Sequence, residues 1–472
     1  MTFSSLHFIF LFLPFTVGIY FLVRSDRWKN LWLLVTSLIF YSFGDPTFLP
    51  TLLLLIAFNF YAAILVEEPR VSSLRPWILG IGIAANLLVL FFFKYLNFAI
   101  EIIHTSFLGQ SFSEDWRNRQ IILPLGISFF TFHAISYLID VYRGKSKSRR
   151  NPIDLGLYFT FFPQLVAGPI IRFCDIESDL SFRKVRMSEF LSGLDRFSWG
   201  LAKKCILANQ LGRVADGVFA IEHASFSSAW IGAGAYSLQI YFDFSGYSDM
   251  ALGLAKLFGF NFRENFRFPY LARSFTEFWR SWHISLSTWF RDYLYIPLGG
   301  NRNGLGRTYA NLFLVFLLCG LWHGAQWTFV TWGLFHGAFL MLERTSQFRH
   351  HFQNHPSVFR VYVWLFVVLG WVIFRADDLG HVQSMYSSML GLTPAGEDFF
   401  VSLQMKCLIL LAAFVATVGE PWLFKEFFEA NLNKGRALLK NICFRTAMLT
   451  LLLASVAELV LGTHNPFIYY RF

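Results

Sequence analysis

The sequence predicts an all-α polytopic membrane protein, and three observations carry that prediction. Of 472 residues, 55% are hydrophobic and only 15% charged. The mean hydropathy is +0.47, beyond what a soluble core needs. Apolar runs recur along the whole chain at about the 20-residue length that a hydrocarbon core roughly 30 Å thick demands of a helix.

The spans are expected near residues 5–23, 30–44, 48–66, 77–100, 120–139, 155–171, 195–210, 228–247, 309–322, 325–342, 361–374, 406–424 and 445–462. This amounts to roughly 11 to 13 membrane segments, because several runs are short or interrupted and should be broken or re-entrant. The run 155–171 is an example, with Pro163, Gly168 and Pro169. Such backbone survives at membrane depth only where protein or a cavity shields it.

The first run has no basic segment before it, and its first cations, Arg24, Arg27 and Lys29, follow it. That fits an uncleaved anchor with the N-terminus outside. Counting on, the basic loop Arg143, Lys145, Lys147, Arg149 and Arg150 falls on the cytoplasmic side. So do Arg344, Arg349 and Arg360, and the stretch with Lys434, Arg436 and Lys440. Acidic connections, Glu114 with Asp115 and Asp377, Asp378, Glu397 and Asp398, fall outside. The net charge of +10 therefore reads as topology and attraction to anionic membrane lipids. Nucleic acid is excluded as a partner because the positive charge is scattered and forms no single patch.

No Ser-rich linker, low-complexity tract or short repeat divides the chain, so one domain over 1–472 is expected, with the unusual chemistry concentrated in about 120–345. The five cysteines, Cys174, Cys205, Cys319, Cys407 and Cys443, form no CxxC pair, so neither a disulfide framework nor a thiolate metal site is expected. Cys319 lies four residues before His323 and would share its helix face as a thiol and its base might, or as a small residue packing between helices.

The most informative feature is Gly320-Leu321-Trp322-His323-Gly324 followed by Gly333-Leu334-Phe335-His336-Gly337. A titratable group inside an apolar run is costly, so these imidazoles either transfer protons or bind a ligand, or else hydrogen-bond a neighbouring helix. On one continuous helix, His336 would lie about 20 Å from His323 and on another face, so the two could share a metal only if the chain bent at Gly324. No metal is expected, and His336 is given a supporting polar role.

Three further segments carry polar groups. In Leu123 to His133 and Phe161 to Arg172, prolines and glycines imply bent pieces lining a cavity, with His133 structural. In Gln239 to Met250, Asp243 and Asp249 interrupt an apolar span. They could orient a histidine, pair with an arginine, bind an acceptor hydroxyl, or belong to a satisfied structural network. In Phe275 to Tyr293, the residues Phe275, Phe278, Trp282, Leu286, Trp289 and Tyr293 make one apolar stripe of an interfacial amphipathic helix. Arg273, Arg280 and Arg291 lie opposite, to hold lipid phosphates or an anionic acyl donor, and His283 sits at the stripe's edge.

Trp279-Arg280-Ser281-Trp282-His283, with Trp289 and Tyr293 and then His323 40 residues on, resembles the paired signature of the membrane-bound O-acyltransferases. The segment Gln239 to Met250, Trp322-His323-Gly324, Trp332 to Gly337 and Pro466 to Phe472 are similar to the bacterial branch typified by the membrane component of alginate O-acetylation. The resemblance implies a helical bundle around a tunnel, in a bacterial inner membrane. It also implies acetyl transfer from a cytoplasmic donor, acetyl-CoA as co-substrate with no resident cofactor, for O-acetylation of an exported polysaccharide of alginate type. Implied partners are a periplasmic acetyltransferase or polysaccharide-export proteins. His323 matches the family's near-universal histidine and is expected to be the general base, aided by burial that keeps it neutral. His283 matches a position where eukaryotic relatives often carry asparagine, and is expected to polarise the acyl oxygen or orient a substrate. Trp282, Trp322, Arg280, Asp243, Asp249 and His336 are expected to support the site or bind substrate. Peptidoglycan or cellulose acetylation, D-alanyl transfer to teichoic acid, and a non-enzymatic proton-coupled transporter or flippase are the alternatives.

Overall fold

The structure, a computed structural model, describes residues 1–104, 121–345, 348, 355–393, 396–428 and 437–462. The loop with Glu114 and Asp115, the cations Arg349, Lys434 and Arg436, and the motif from Pro466 onward lie outside the described residues. Among the described residues every regular element is helical, apart from one isolated bridge between Ala224 and Glu397.

Among the described residues, six helices are long and apolar enough to cross a membrane: Pro46–Glu67, Ser72–Ile103, Gly304–His323, Ser357–Arg375, Leu403–Leu423 and Lys440–Leu461. Shorter apolar helices cover Phe8–Leu22, Ile127–Tyr142 and Trp327–Leu342. The run at 155–171 is broken as expected, into Pro152–Thr160 and Phe162–Leu165. Pro163 in the second piece has no N–H to continue the first.

The chain divides into two compact units, residues 1–190 with 254–263, and residues 191–253 with 264–472. In the first, several buried polar side chains pair across helices. Asn59 and Asn86 exchange amide hydrogen bonds of 3.0 and 2.9 Å between helices Leu49–Glu67 and Arg75–Leu90. Asn30 donates to Asp154 at 2.7 Å. Gly126 starts helix Ile127–Tyr142 at φ +74°, and a Cβ there would lie 2.5 Å from the Leu165 carbonyl oxygen, so only glycine lets the two bent segments meet. His133 is fully buried in this unit beside the Tyr158 ring.

The helix Phe226–Leu257, all but its last four residues in the second unit, runs 32 residues without interruption, a length of roughly 48 Å. The polar residues of Gln239 to Met250 are carried on regular helix and almost all buried. A helix buried on all sides can hold charges only by pairing them. Helices Gly304–His323 and Trp327–Leu342 pack antiparallel as a hairpin, joined through Gly324 in extended conformation.

One expectation is corrected here. Residues 275–293 do not form a single amphipathic helix. Phe275–Ser281 ends at Trp282, which is extended, and His283 turns into the left-handed region at φ 42° before Ile284–Phe290 begins. The stripe is still buried throughout, and Arg273, Arg280 and Arg291 are exposed as expected. Periodicity reports which side chains are apolar, and a kink of one residue leaves that pattern nearly intact.

Candidate active site

The candidate site lies within the second unit. The helix Phe275–Ser281 is started by Ser274, whose hydroxyl accepts from the Glu277 N–H at 2.9 Å. Glu277 in turn accepts from the Arg273 N–H at 2.8 Å, in the manner of a capping box. Glu343, just past the hairpin's second helix, accepts from the N–H of Phe275 and Thr276 at 2.5 and 3.1 Å. The N-terminal end of this short helix, which leads to His283, is thus fixed by two independent carboxylates.

His283 is 0% exposed. A left-handed non-glycine residue costs about 1 kcal/mol or more and persists only where its surroundings impose it. Here Asn265 imposes it: its carbonyl accepts from the Ile284 N–H at 2.8 Å. The Asn265 side-chain oxygen lies 3.2 Å from His283 Nδ1 and accepts from the Ser285 N–H and hydroxyl at 3.1 and 2.8 Å. The imidazole packs edge-on to Phe244 at 4.6 Å and faces Trp322 at 6.1 Å between ring centroids. Burial lowers its pKa to about 3, so the ring is neutral at physiological pH.

His323 ends its helix and is 6% exposed. Its ring lies 4.9 Å from Trp322, 5.0 Å from Trp332 and 5.3 Å from Phe374. Trp322 therefore contacts both imidazoles, and Trp282 closes the wall through Trp371 at 4.7 Å.

The chain does bend at Gly324, so the separation expected from a continuous helix is overturned for His336. Its ring and that of His323 each lie 5.0 Å from Trp332. The cause is the glycine crossing, where a Cβ on Gly320 would lie 2.3 Å from the Phe329 carbonyl oxygen. His336 is 0% exposed, caged by Phe275, Phe278 and Trp279 as well as Trp332. Among the described residues no group of three or more His, Cys, Asp or Glu is arranged to hold a metal, and all five cysteines are free thiols.

Asp243 and Asp249 are partnered by buried cations. Asp249 binds Arg196 and Lys203 at 2.6 Å each, and Asp243 binds Lys204 at 2.6 Å. Lys203 also reaches Glu420 at 2.7 Å, to which Tyr241 donates, and Arg196 reaches Glu264 at 2.6 Å. Of the alternatives open for the carboxylates, pairing with an arginine is the one realised for Asp249. Sequence reasoning missed Arg196, Lys203, Lys204, Glu420 and Asn265. Two adjacent lysines inside the run 195–210 were the available signal for the network, and nothing marked Asn265. Arg280 stays at the surface, apart from this group.

The fold and site define a polytopic membrane protein with two imidazoles buried around a shared tryptophan, an arrangement fit for acyl transfer to a hydroxyl. The model of the membrane-bound O-acyltransferase family matches residues 145–376. The chain is 40% identical, over the whole of both chains, to a probable alginate O-acetylase of Pseudomonas putida. It is 37% identical to a peptidoglycan O-acetyltransferase of Helicobacter pylori, over 83% of this chain and 80% of that one. It is 29% identical to a teichoic acid D-alanyltransferase of Bacillus subtilis, over 47% of this chain and 58% of that one. The chain belongs to the membrane-bound O-acyltransferase family.

Proposed function

We propose that this enzyme moves acetyl from a cytoplasmic thioester, acetyl-CoA, to a hydroxyl presented from the outer side, and so feeds O-acetylation of an exported polysaccharide of alginate type. The acceptor class rests on the full-length likeness to relatives named as alginate O-acetylases. The chemistry rests on one observation, the pair His283 and His323 both packed against Trp322.

In this reading His323 is the general base. Its neutral imidazole takes the proton of the attacking hydroxyl as the new C–O bond forms. The C–S bond of the thioester then breaks, and the proton returns to the leaving thiolate. His283 orients a substrate beside it. Trp282, Trp322 and Trp332 keep water from the thioester, and His336 supports Trp332. A separate periplasmic transferase or export protein receives the acetyl or delivers the acceptor. The N-terminus and the acidic loops face outward, and the basic loops face the cytoplasm of a bacterial inner membrane.

The test is thiol release from acetyl-CoA by the purified protein in detergent, with an unacetylated alginate-type polysaccharide added to supply the acceptor hydroxyl. Release that rises with enzyme concentration supports the reading, and none above the detergent blank rejects it.

A further inference from the structure

Resting on the reading of this site as the acetyl-transfer centre, we infer that Asn265 is a positioning residue that fixes His283 as its Nδ1–H tautomer, so that His283 meets substrate as a hydrogen-bond acceptor through Nε2. The polarising role, donation of a hydrogen bond to the acyl oxygen, is then closed to it.

The argument begins with which atom of the Asn265 amide faces His283. The atom 3.2 Å from Nδ1 also accepts from the Ser285 backbone N–H at 3.1 Å. A backbone N–H can only donate, so this atom is the oxygen. The amide nitrogen, on the other side, donates to the Ser248 hydroxyl at 3.1 Å. The Ser285 hydroxyl lies 2.8 Å from the same oxygen and 3.3 Å from Nδ1, and its one hydrogen goes to the nearer oxygen. Nδ1 therefore faces lone pairs from both neighbours and must carry the hydrogen. A neutral imidazole has only one N–H, so Nε2 is bare. Nε2 is buried, with no hydrogen-bond partner among the described residues. A lone pair left so, inside a site built for substrates, calls for an O–H or N–H of the bound substrate.

Asn265 is itself clamped. Ser248, which receives its amide, precedes Asp249, and Glu264, which precedes it, binds Arg196 together with Asp249. The ion network, buried at Asp249 and Arg196 and reaching the surface at Glu264, thus holds the residue that sets the tautomer. It explains why charges are kept in the middle of the helix Phe226–Leu257.

The experiment compares Asn265→Asp and Asn265→Ala with the parent in detergent, reading kcat and KM for acetyl-CoA between pH 5 and 8. Alanine frees the tautomer, and kcat should fall about 10-fold or more while KM stays within about twofold. Aspartate keeps an acceptor at Nδ1 and stabilises the imidazolium. Relative to the parent, its activity should be near normal at pH 8 and fall as the pH is lowered, because protonation consumes the Nε2 lone pair. If His283 were a donor, the same variant would gain relative activity as the pH falls, and that result overturns the inference. So does an aspartate profile that superimposes on the parent's. Because aspartate is nearly isosteric with asparagine, it carries the test even if alanine fails to fold. A parent protein that releases no thiol would instead reject the acetyl-transfer reading.

Discussion

Gly320 and Gly333 touch backbone to backbone: a Cβ on Gly333 would stand 3.1 Å from the Cα of Gly320 and 2.3 Å from the Phe316 carbonyl oxygen. This contact sets Trp332 between His323 and His336, and it makes the first prediction. Gly320→Val forces the hairpin apart at a cost of about 1–3 kcal/mol. Thiol release should fall more than about tenfold, as a displaced imidazole would require. Gly306→Val, on the same helix but with nothing within 4 Å of its added Cβ, should match the parent. Equal effects of the two would show that the crossing does not position the site.

A second prediction concerns His283. His283→Asn should keep measurable activity and His283→Leu none, since an amide offers an acceptor oxygen as well as a donor and leucine offers neither. Equal loss in both variants, with both proteins monodisperse, would argue for proton transfer at His283. In the same assay Cys319→Ala should be nearly silent.

The ion network supplies a third. Asp249→Leu leaves Arg196 and Lys203 buried without their shared carboxylate, which should cost about 3–5 kcal/mol. The melting temperature in detergent should drop by several degrees and the membrane yield should fall. A melting temperature within about a degree of the parent's would mean the cations find water, and that the network does not hold the loop at Glu264 and Asn265.

Much of this was legible in the sequence, and the reasons differ by residue. The spans could be read because hydrocarbon tolerates only long apolar helices, and the stripe from Phe275 to Tyr293 because burial selects apolar side chains whatever the local bend. His323 and His283 stood out because an imidazole in such surroundings is expensive. The break at His283 was not legible, since a left-handed non-glycine residue is imposed by tertiary contacts and leaves no local mark. The partners of Asp243 and Asp249 were hidden for another reason. Lys203 and Lys204 lie some 40 residues upstream of them, and spacing says nothing about which helices meet. The nearness of His336 to His323 depended on a turn at Gly324, which composition permits without requiring.

Sidedness gives the fourth prediction. Ser146 is buried, so the exposed Lys147 is the better probe of the basic loop, and Gln383 is exposed beyond helix Pro356–Arg375. In a background without the native thiols, Gln383→Cys should react with an impermeant maleimide in intact cells. Lys147→Cys should react only after permeabilisation. Equal labelling of the two in intact cells would reverse or abolish the proposed path of acetyl from the cytoplasm outward.

The most direct test of the central claim is the thiol-release rate of His323→Ala beside the parent, with both proteins accumulating equally in the membrane. Loss of the general base predicts a rate lower by about 100-fold or more. Retention of more than about a tenth of the parent rate would contradict the account, because proton transfer at His323 could not then be what drives the acyl step.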